Sequence, residues 1–237
     1  MPANRLRIAE IFYSIQGEGE LSGLPSVFIR TSGCNLRCRW CDTKYASWNP
    51  QGEHLSIEQI LEAVERYPTR YCVLTGGEPM LAPGIHSLAQ KLRQLGYHIT
   101  IETAGTLAPA GIPCDLASLS PKLANSRPDI SLDLGAAWQE RHEKLRLQPA
   151  ILLEWLENYP YQIKFVIEKP NELQEIETLV IKIGKTIPPE KIFLMPEGVE
   201  QQALEGRQPA LVDLCLKRGY RYSHRLHIQL FGNTPGT

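Results

Sequence analysis

Three of the six cysteines in this 237-residue chain fall in one short stretch, GCNLRCRWCDT, residues 33–43. The spacing Cys34-x3-Cys38-x2-Cys41 puts three thiols on one tight loop. Thiolates are soft ligands, and three at close range suit zinc or an iron–sulfur centre. A structural zinc site and an ordinary four-iron cluster each take four protein ligands. Cys72, Cys114 and Cys215 stand alone among apolar residues and read as inert core thiols. The simplest reading is a centre with three protein ligands and one open coordination position, which a catalytic centre needs. A zinc site completed by a histidine, or a redox-active surface patch, stays open on spacing alone.

Other residues of the right type lie near strand ends. TGGEP, Thr75 to Pro79, carries paired glycines that let a backbone approach a ligand closely, although alone it reads as a turn. Arg30 ends an apolar stretch, two residues after Phe28 and on the same face. Its guanidinium fork suits a carboxylate in a way lysine cannot copy; the plain alternative is a solvated strand end. SIQGEG, 14–19, reads as a solvated turn, and Gln16 within it has both donor and acceptor groups. Asp42 reads as a helix cap, Glu102 as a strand-end carboxylate, and His227 as a packed histidine in a strand-like C-terminal stretch.

These residues need elements to hold them. The spans 25–33, 71–77, 97–105, 114–120, 161–169 and 190–198 read as strands. Helices are expected at 56–67, where Ser56 and Gln59 form a capping box, at 84–96, at 171–184 and near 209–218. Strand alternating with helix favours parallel βαβ units, so the expected fold class is α/β, with six strands in an open parallel barrel. Residues 121–150 break the rhythm and are expected to form an irregular insertion within a single domain, 1–237. The cysteine loop, Arg30, TGGEP and Glu102 then sit at the C-terminal ends of strands, while SIQGEG precedes the first of them.

Composition narrows the class. A net charge of −1 argues against a broad nucleic-acid footprint, and the 43% hydrophobic content supports a normal core. No run of eighteen apolar residues suggests a membrane span, and the N-terminus shows no signal-peptide pattern. The expected location is the cytoplasm, where clustered cysteines more often bind metal than form disulfides.

The cysteine spacing, with Trp40 beside the last cysteine and TGGEP one strand later, resembles the radical S-adenosylmethionine (SAM) enzymes. The resemblance implies a 4Fe-4S cluster on Cys34, Cys38 and Cys41, with S-adenosylmethionine chelating the fourth iron. Within that superfamily FYSIQGEGELSGLPSVFIRTSGCNLRCRWCDT, LTGGEP, IETAGT, SPK and LMPEG resemble the 7-carboxy-7-deazaguanine synthase family from about Ile11 to the C-terminus. This implies a compressed, incomplete parallel (β/α) barrel and a homodimer. The implied reaction contracts the ring of a 6-carboxy-tetrahydropterin to 7-carboxy-7-deazaguanine with loss of ammonia, on the way to queuosine. A 5′-deoxyadenosyl radical would take hydrogen from C6, and the cofactor would be regenerated.

Carried over residue by residue, the resemblance assigns S-adenosylmethionine to Trp40, Cys41, Asp42, Gly77, Glu102, Ser120, Pro121, Lys122, Met195, Pro196 and Glu197. It assigns the substrate to Ile15, Gln16, Gly17, Arg30, Thr75, His227 and Thr237, and a magnesium ion to Thr43. It implies a one-electron reductant of flavodoxin or ferredoxin type. Two rivals differ in kind. A glycyl-radical activating enzyme shares the cysteine loop but needs neither SIQGEG nor Arg30. An iron–sulfur or zinc electron carrier wants a closed four-ligand site and no glycine-rich strand end.

Overall fold

The computed structural model describes residues 5–129 and 135–237. Strand β1 (Arg5–Ile15) pairs antiparallel with β2 (Pro25–Thr31) on one edge and with β3 (Glu53–Ser56) on the other. From β2 the sheet runs on in parallel through β4 (Tyr71–Gly76), β5 (His98–Thr103), β6 (Leu116–Leu119), β7 (Tyr161–Ile167), β8 (Ile192–Pro196) and β9 (Arg221–Tyr222). The order is β3-β1-β2-β4-β5-β6-β7-β8-β9, with β3 and β9 at the edges among the described residues. The six expected parallel strands are β2 and β4 to β8, and the barrel they begin is left open.

Alternation along these strands separates two faces. Val27 and Ile29, Cys72 and Leu74, Ile99 and Ile101, Ala117 and Leu119, Ile163 and Phe165, and Ile192 and Leu194 all point into one continuous apolar core. Their neighbours Phe28, Arg30, Thr75, Glu102, Ser118, Lys164 and Met195 point the other way, into a cavity. Lys164, in the middle of a buried strand, is therefore on the functional face.

Helices α2 (Ile57–Glu65), α3 (Ile85–Gln94) and α6 (Leu173–Ile183) cover the apolar face as their stripes predict. The capping box at Ser56 is formed: Gln59 N–H donates to Ser56 Oγ at 3.3 Å and Ser56 N–H to Gln59 Oε1 at 2.8 Å, a cap of about 1 kcal/mol.

Four expectations need revision. Residues 121–150 are not irregular throughout: they hold α4 (Gly135–Leu145) and the start of α5 (Pro149–Asn158). Helix α4 lacks a clear apolar stripe and is held by polar contacts of His142 and Arg146, so periodicity missed it. Helix α7 spans Gln201–Arg218, starting well before 209 and running through Pro209. His227 lies on helix α8 (Leu226–Phe231), not on a strand. Strand β8 ends at Pro196, leaving no partner ladder for residues 226–231; the Leu226 N–H instead donates to Gly17 O at 2.9 Å. Strand β1 was not expected at all. Its alternation is broken by a bulge between Ile8 and Glu10, which hides a strand from pattern reading.

Candidate active site

A cavity of about 620 Å³ opens at the C-terminal ends of the parallel strands. Cys34, Cys38 and Cys41 all line it. Their loop starts where β2 ends and turns at Gly33, whose φ of +118 suits glycine. Short helix α1 (Lys44–Ser47) follows, and Ala46 O accepts the Gly33 N–H at 2.8 Å.

Three anchors fix this loop. The Glu78 N–H donates to Gly33 O at 2.9 Å, beside the turn that ends β4. Asn35 Nδ2 donates to Thr106 Oγ1 at 3.0 Å, beyond β5. The Arg37 N–H donates to His142 Nδ1 at 3.1 Å, on α4. His142 Nε2 lies 3.0 Å from Ser126 Oγ, so the polar insertion buttresses the cysteines. Burial pulls His142 down to about 4, with Arg146 adding to the effect. The neutral ring accepts from Arg37 and can give its proton to Ser126.

The glycine pair has a packing duty as well. A Cβ at Gly77 would lie 2.3 Å from Gly33 O and 2.7 Å from Cys34 Cβ, and one at Gly76 would lie 2.3 Å from Thr31 Oγ1. Glycine lets the cysteine loop close onto β4. Glu78, buried in the same motif, accepts from Thr103 Oγ1 at 2.8 Å and from the Ala104 N–H at 2.9 Å. It ties the end of β4 to the end of β5.

The far wall is a charge network. Lys164 Nζ, only 3% exposed, meets Glu18 Oε2 at 2.8 Å and Glu102 Oε1 at 3.1 Å. Gln16 Nε2 donates to the same Glu102 oxygen at 3.3 Å. Arg225, just before α8, lies 3.4 Å from Glu18 Oε1 and also pairs with Asp42. Burial alone would raise the Glu18 carboxyl, but Lys164, Arg225 and His227 together hold it well below the usual carboxylate range. Burial would lower the Lys164 ammonium, yet Glu102 and Glu18 keep it above its ordinary value. Such groups stay charged because they are paired. Asp42 therefore does not cap α1; it latches the cysteine loop to the C-terminal segment.

All but two of the sequence-predicted site residues line the cavity: Ile15, Gln16, Gly17, Arg30, Trp40, Asp42, Thr43, Thr75, Gly77, Glu102, Ser120, Lys122, Met195, Glu197, His227 and Thr237 join the cysteines. Pro121 and Pro196 are buried and do not line it. Pro196 follows Met195 on β8, and alternation turns it away. Lys122 Nζ donates to Ser120 Oγ at 2.8 Å and sits 5.5 Å above the Trp40 ring. His227 packs under Gly17, where a Cβ would lie 1.9 Å from Nδ1. Sequence reasoning missed Glu10, Glu18, Tyr45, Lys164 and Arg225. A lysine between apolar residues in YQIKFVI was the readable signal for Lys164, and Glu18 stands inside the SIQGEG stretch; nothing local marked Glu10, Tyr45 or Arg225.

The donors fit an iron–sulfur cluster. Among the described residues no three His, Cys, Asp or Glu side chains crowd closely enough to enclose one metal ion. Burial pushes Cys34 up to about 12 and raises Cys38 too, so these thiols are neutral until a cation binds. Cationic and anionic side chains on one wall also fit a cofactor carrying an ammonium, a sulfonium and a carboxylate.

Comparison with known proteins decides the family. Residues 28–135 match the model of the Radical SAM superfamily. The chain is 46% identical over 233 residues to the 7-carboxy-7-deazaguanine synthase of Rhodopirellula baltica, covering 98% of this chain and 89% of the relative. The chain belongs to the 7-carboxy-7-deazaguanine synthase family. The enzyme of that name from Halobacterium salinarum is 43% identical over 239 residues, covering 98% and 93% of the two chains. The crystal structure of QueE from Escherichia coli matches with a TM-score of 0.66 at 25% identity, over 92% of this chain and 93% of that one. This chain is thus a radical SAM enzyme and a lyase, using an iron–sulfur cluster and S-adenosylmethionine. Among the described residues no helix is long and apolar enough to cross a membrane.

Proposed function

We propose that the enzyme converts 6-carboxy-5,6,7,8-tetrahydropterin to 7-carboxy-7-deazaguanine with loss of ammonia, within queuosine biosynthesis. The observation that carries this reading is Arg30 and Gln16 lining the same cavity as the three cysteines and Gly77. A carboxylate reader and an amide reader so placed suit an acidic pterin.

Cys34, Cys38 and Cys41 hold the 4Fe-4S cluster. When bound, the cluster and S-adenosylmethionine supply one-electron cleavage and hydrogen abstraction, chemistry no side chain offers. Trp40, Cys41, Asp42, Gly77, Glu102, Ser120, Lys122, Met195 and Glu197 cradle S-adenosylmethionine, with Pro121 and Pro196 shaping the protein backbone behind them. Ile15, Gln16, Gly17, Thr75 and His227 orient the pterin, Arg30 takes its carboxylate, and Thr237 closes the site from the C-terminal tail. Thr43, which lines the cavity, would hold a magnesium ion through its hydroxyl, and the ion would supply positive charge for anionic substrate oxygens. The enzyme works in the cytoplasm as a homodimer of single-core chains, reduced by a flavodoxin- or ferredoxin-type protein.

The test is anaerobic incubation of the reduced enzyme with S-adenosylmethionine and the carboxylated pterin, with products identified by mass. 7-Carboxy-7-deazaguanine and ammonia are expected, with many turnovers per cofactor. An unchanged pterin alongside a glycyl radical on a partner protein would assign the chain to activating enzymes instead.

A further inference from the structure

Strand β1 carries a defect that serves the cavity. Leu6 and Ile8 point into the main core, so regular alternation would send Glu10 there too. The register instead slips: Ile8 pairs with Thr31, and Glu10 pairs with Arg30, the next residue back along β2. This bulge inserts Ala9 as the extra residue and turns Glu10 to the opposite face. Ile11 then packs on the core, while Glu10 and Phe12 line the cavity.

The re-aimed carboxylate has a defined task. Glu10 Oε1 accepts from Arg30 Nε at 2.6 Å and from Tyr45 Oη, on α1, also at 2.6 Å. Phe12 stacks on Phe28, with ring centroids 4.9 Å apart and planes 6° from parallel, and the Arg30 guanidinium lies 5.7 Å from the Phe12 centroid. The guanidinium is thus held at Nε from one side and set over an aromatic ring. With Nε occupied, a bidentate partner can meet Arg30 only through its two terminal nitrogens.

We propose that Glu10 and Tyr45 are positioning residues that lock the Arg30 fork, so that it takes a substrate carboxylate end-on through the terminal nitrogens. The clamp makes the 6-carboxylate a specificity determinant: a pterin lacking that group gains nothing from the locked fork. The inference rests on the assignment of Arg30 to the substrate carboxylate. It adds how the arginine is aimed and which residues aim it.

The test compares binding of two pterins, the 6-carboxylated substrate and the same tetrahydropterin without the carboxylate. Cluster-loaded Arg30→Ala, Glu10→Ala, Glu10→Gln and Tyr45→Phe proteins are measured, with S-adenosylmethionine affinity as the control for an intact site. A hydrogen bond to a charged group corresponds to a factor of roughly ten or more. Glu10→Ala should therefore weaken the carboxylated pterin by about tenfold or more and leave the other pterin unchanged. Tyr45→Phe should shift binding the same way by a smaller factor, and Glu10→Gln, which keeps an acceptor for Nε, should lie closest to the unaltered enzyme. If Arg30→Ala weakens only the carboxylated pterin but Glu10→Ala and Tyr45→Phe weaken both pterins equally, or neither, the clamp is wrong while Arg30 keeps its role. If Arg30→Ala also fails to distinguish the two pterins, the underlying assignment falls. Should Glu10→Ala not fold, Tyr45→Phe alone decides, because its selectivity either drops or stays.

Discussion

Replacing Lys164 by methionine would remove the cation at the centre of the buried charge network. The ammonium is 3% exposed and bridges Glu18 and Glu102 at 2.8 and 3.1 Å. What remains is Arg225 at 3.4 Å from Glu18 and Gln16 at 3.3 Å from Glu102, both too long to replace a buried ion pair. Breaking such a pair from one side costs about 3–5 kcal/mol. Against a whole-domain stability of about 5–15 kcal/mol, that is a large fraction, and urea unfolding of the cluster-free chain would read it as a lower midpoint with a similar slope. The pH dependence follows from Glu18. Its carboxyl is depressed in the folded chain, so its stabilisation is present at neutral pH and is lost as pH falls below the ordinary value of 4.5. Without Lys164, burial gains weight and Glu18 is more readily protonated on folding, so acid harms the variant less. The stability gap should be widest near neutrality and narrow in acid. The compensated variant, with Glu18→Gln and Glu102→Gln added, should recover part of the loss. A gap that is absent at neutral pH, or that widens in acid, would refute the reasoning.

The glycines offer a contrast. Gly77→Ala has no room between Gly33 O and Cys34 Cβ and should sharply reduce iron loading, whereas Gly206→Ala, open on all sides within α7, should stabilise the fold by about 0.5–1 kcal/mol in thermal unfolding. His142→Leu should leave the Arg37 N–H without its acceptor and lower iron and sulfide content after reconstitution, while His142→Asn, which keeps an acceptor near Nδ1, should retain most of it. Because His142 falls from 6.5 to about 4 on folding, its neutral form is favoured in the native chain. Stability should therefore decline as pH drops through that window, and the decline should flatten in His142→Asn.

Much of this enzyme was legible in its residue order because the relevant signals are local. The cysteine spacing, the paired glycines and the apolar strand cores each lie within a few positions of one another. Six strands in βαβ succession have essentially one handed way to assemble in parallel, so strand-end residues such as Arg30, Thr75 and Ser120 were bound to gather at one rim. Residues whose meaning is set across the sheet were not legible. Lys164 is an ordinary lysine until Glu18 and Glu102, far away in the chain, are brought to it. Helix α4 has a polar sequence, and only folding shows that its His142 holds the cysteine loop. Glu10 reads as a charge beside a core position, and only the register slip against β2 turns it to Arg30. Spacing along the chain specifies which side chains a single element presents. Which side chains meet across elements depends on register, bulges and packing, and those are settled only when the whole sheet forms.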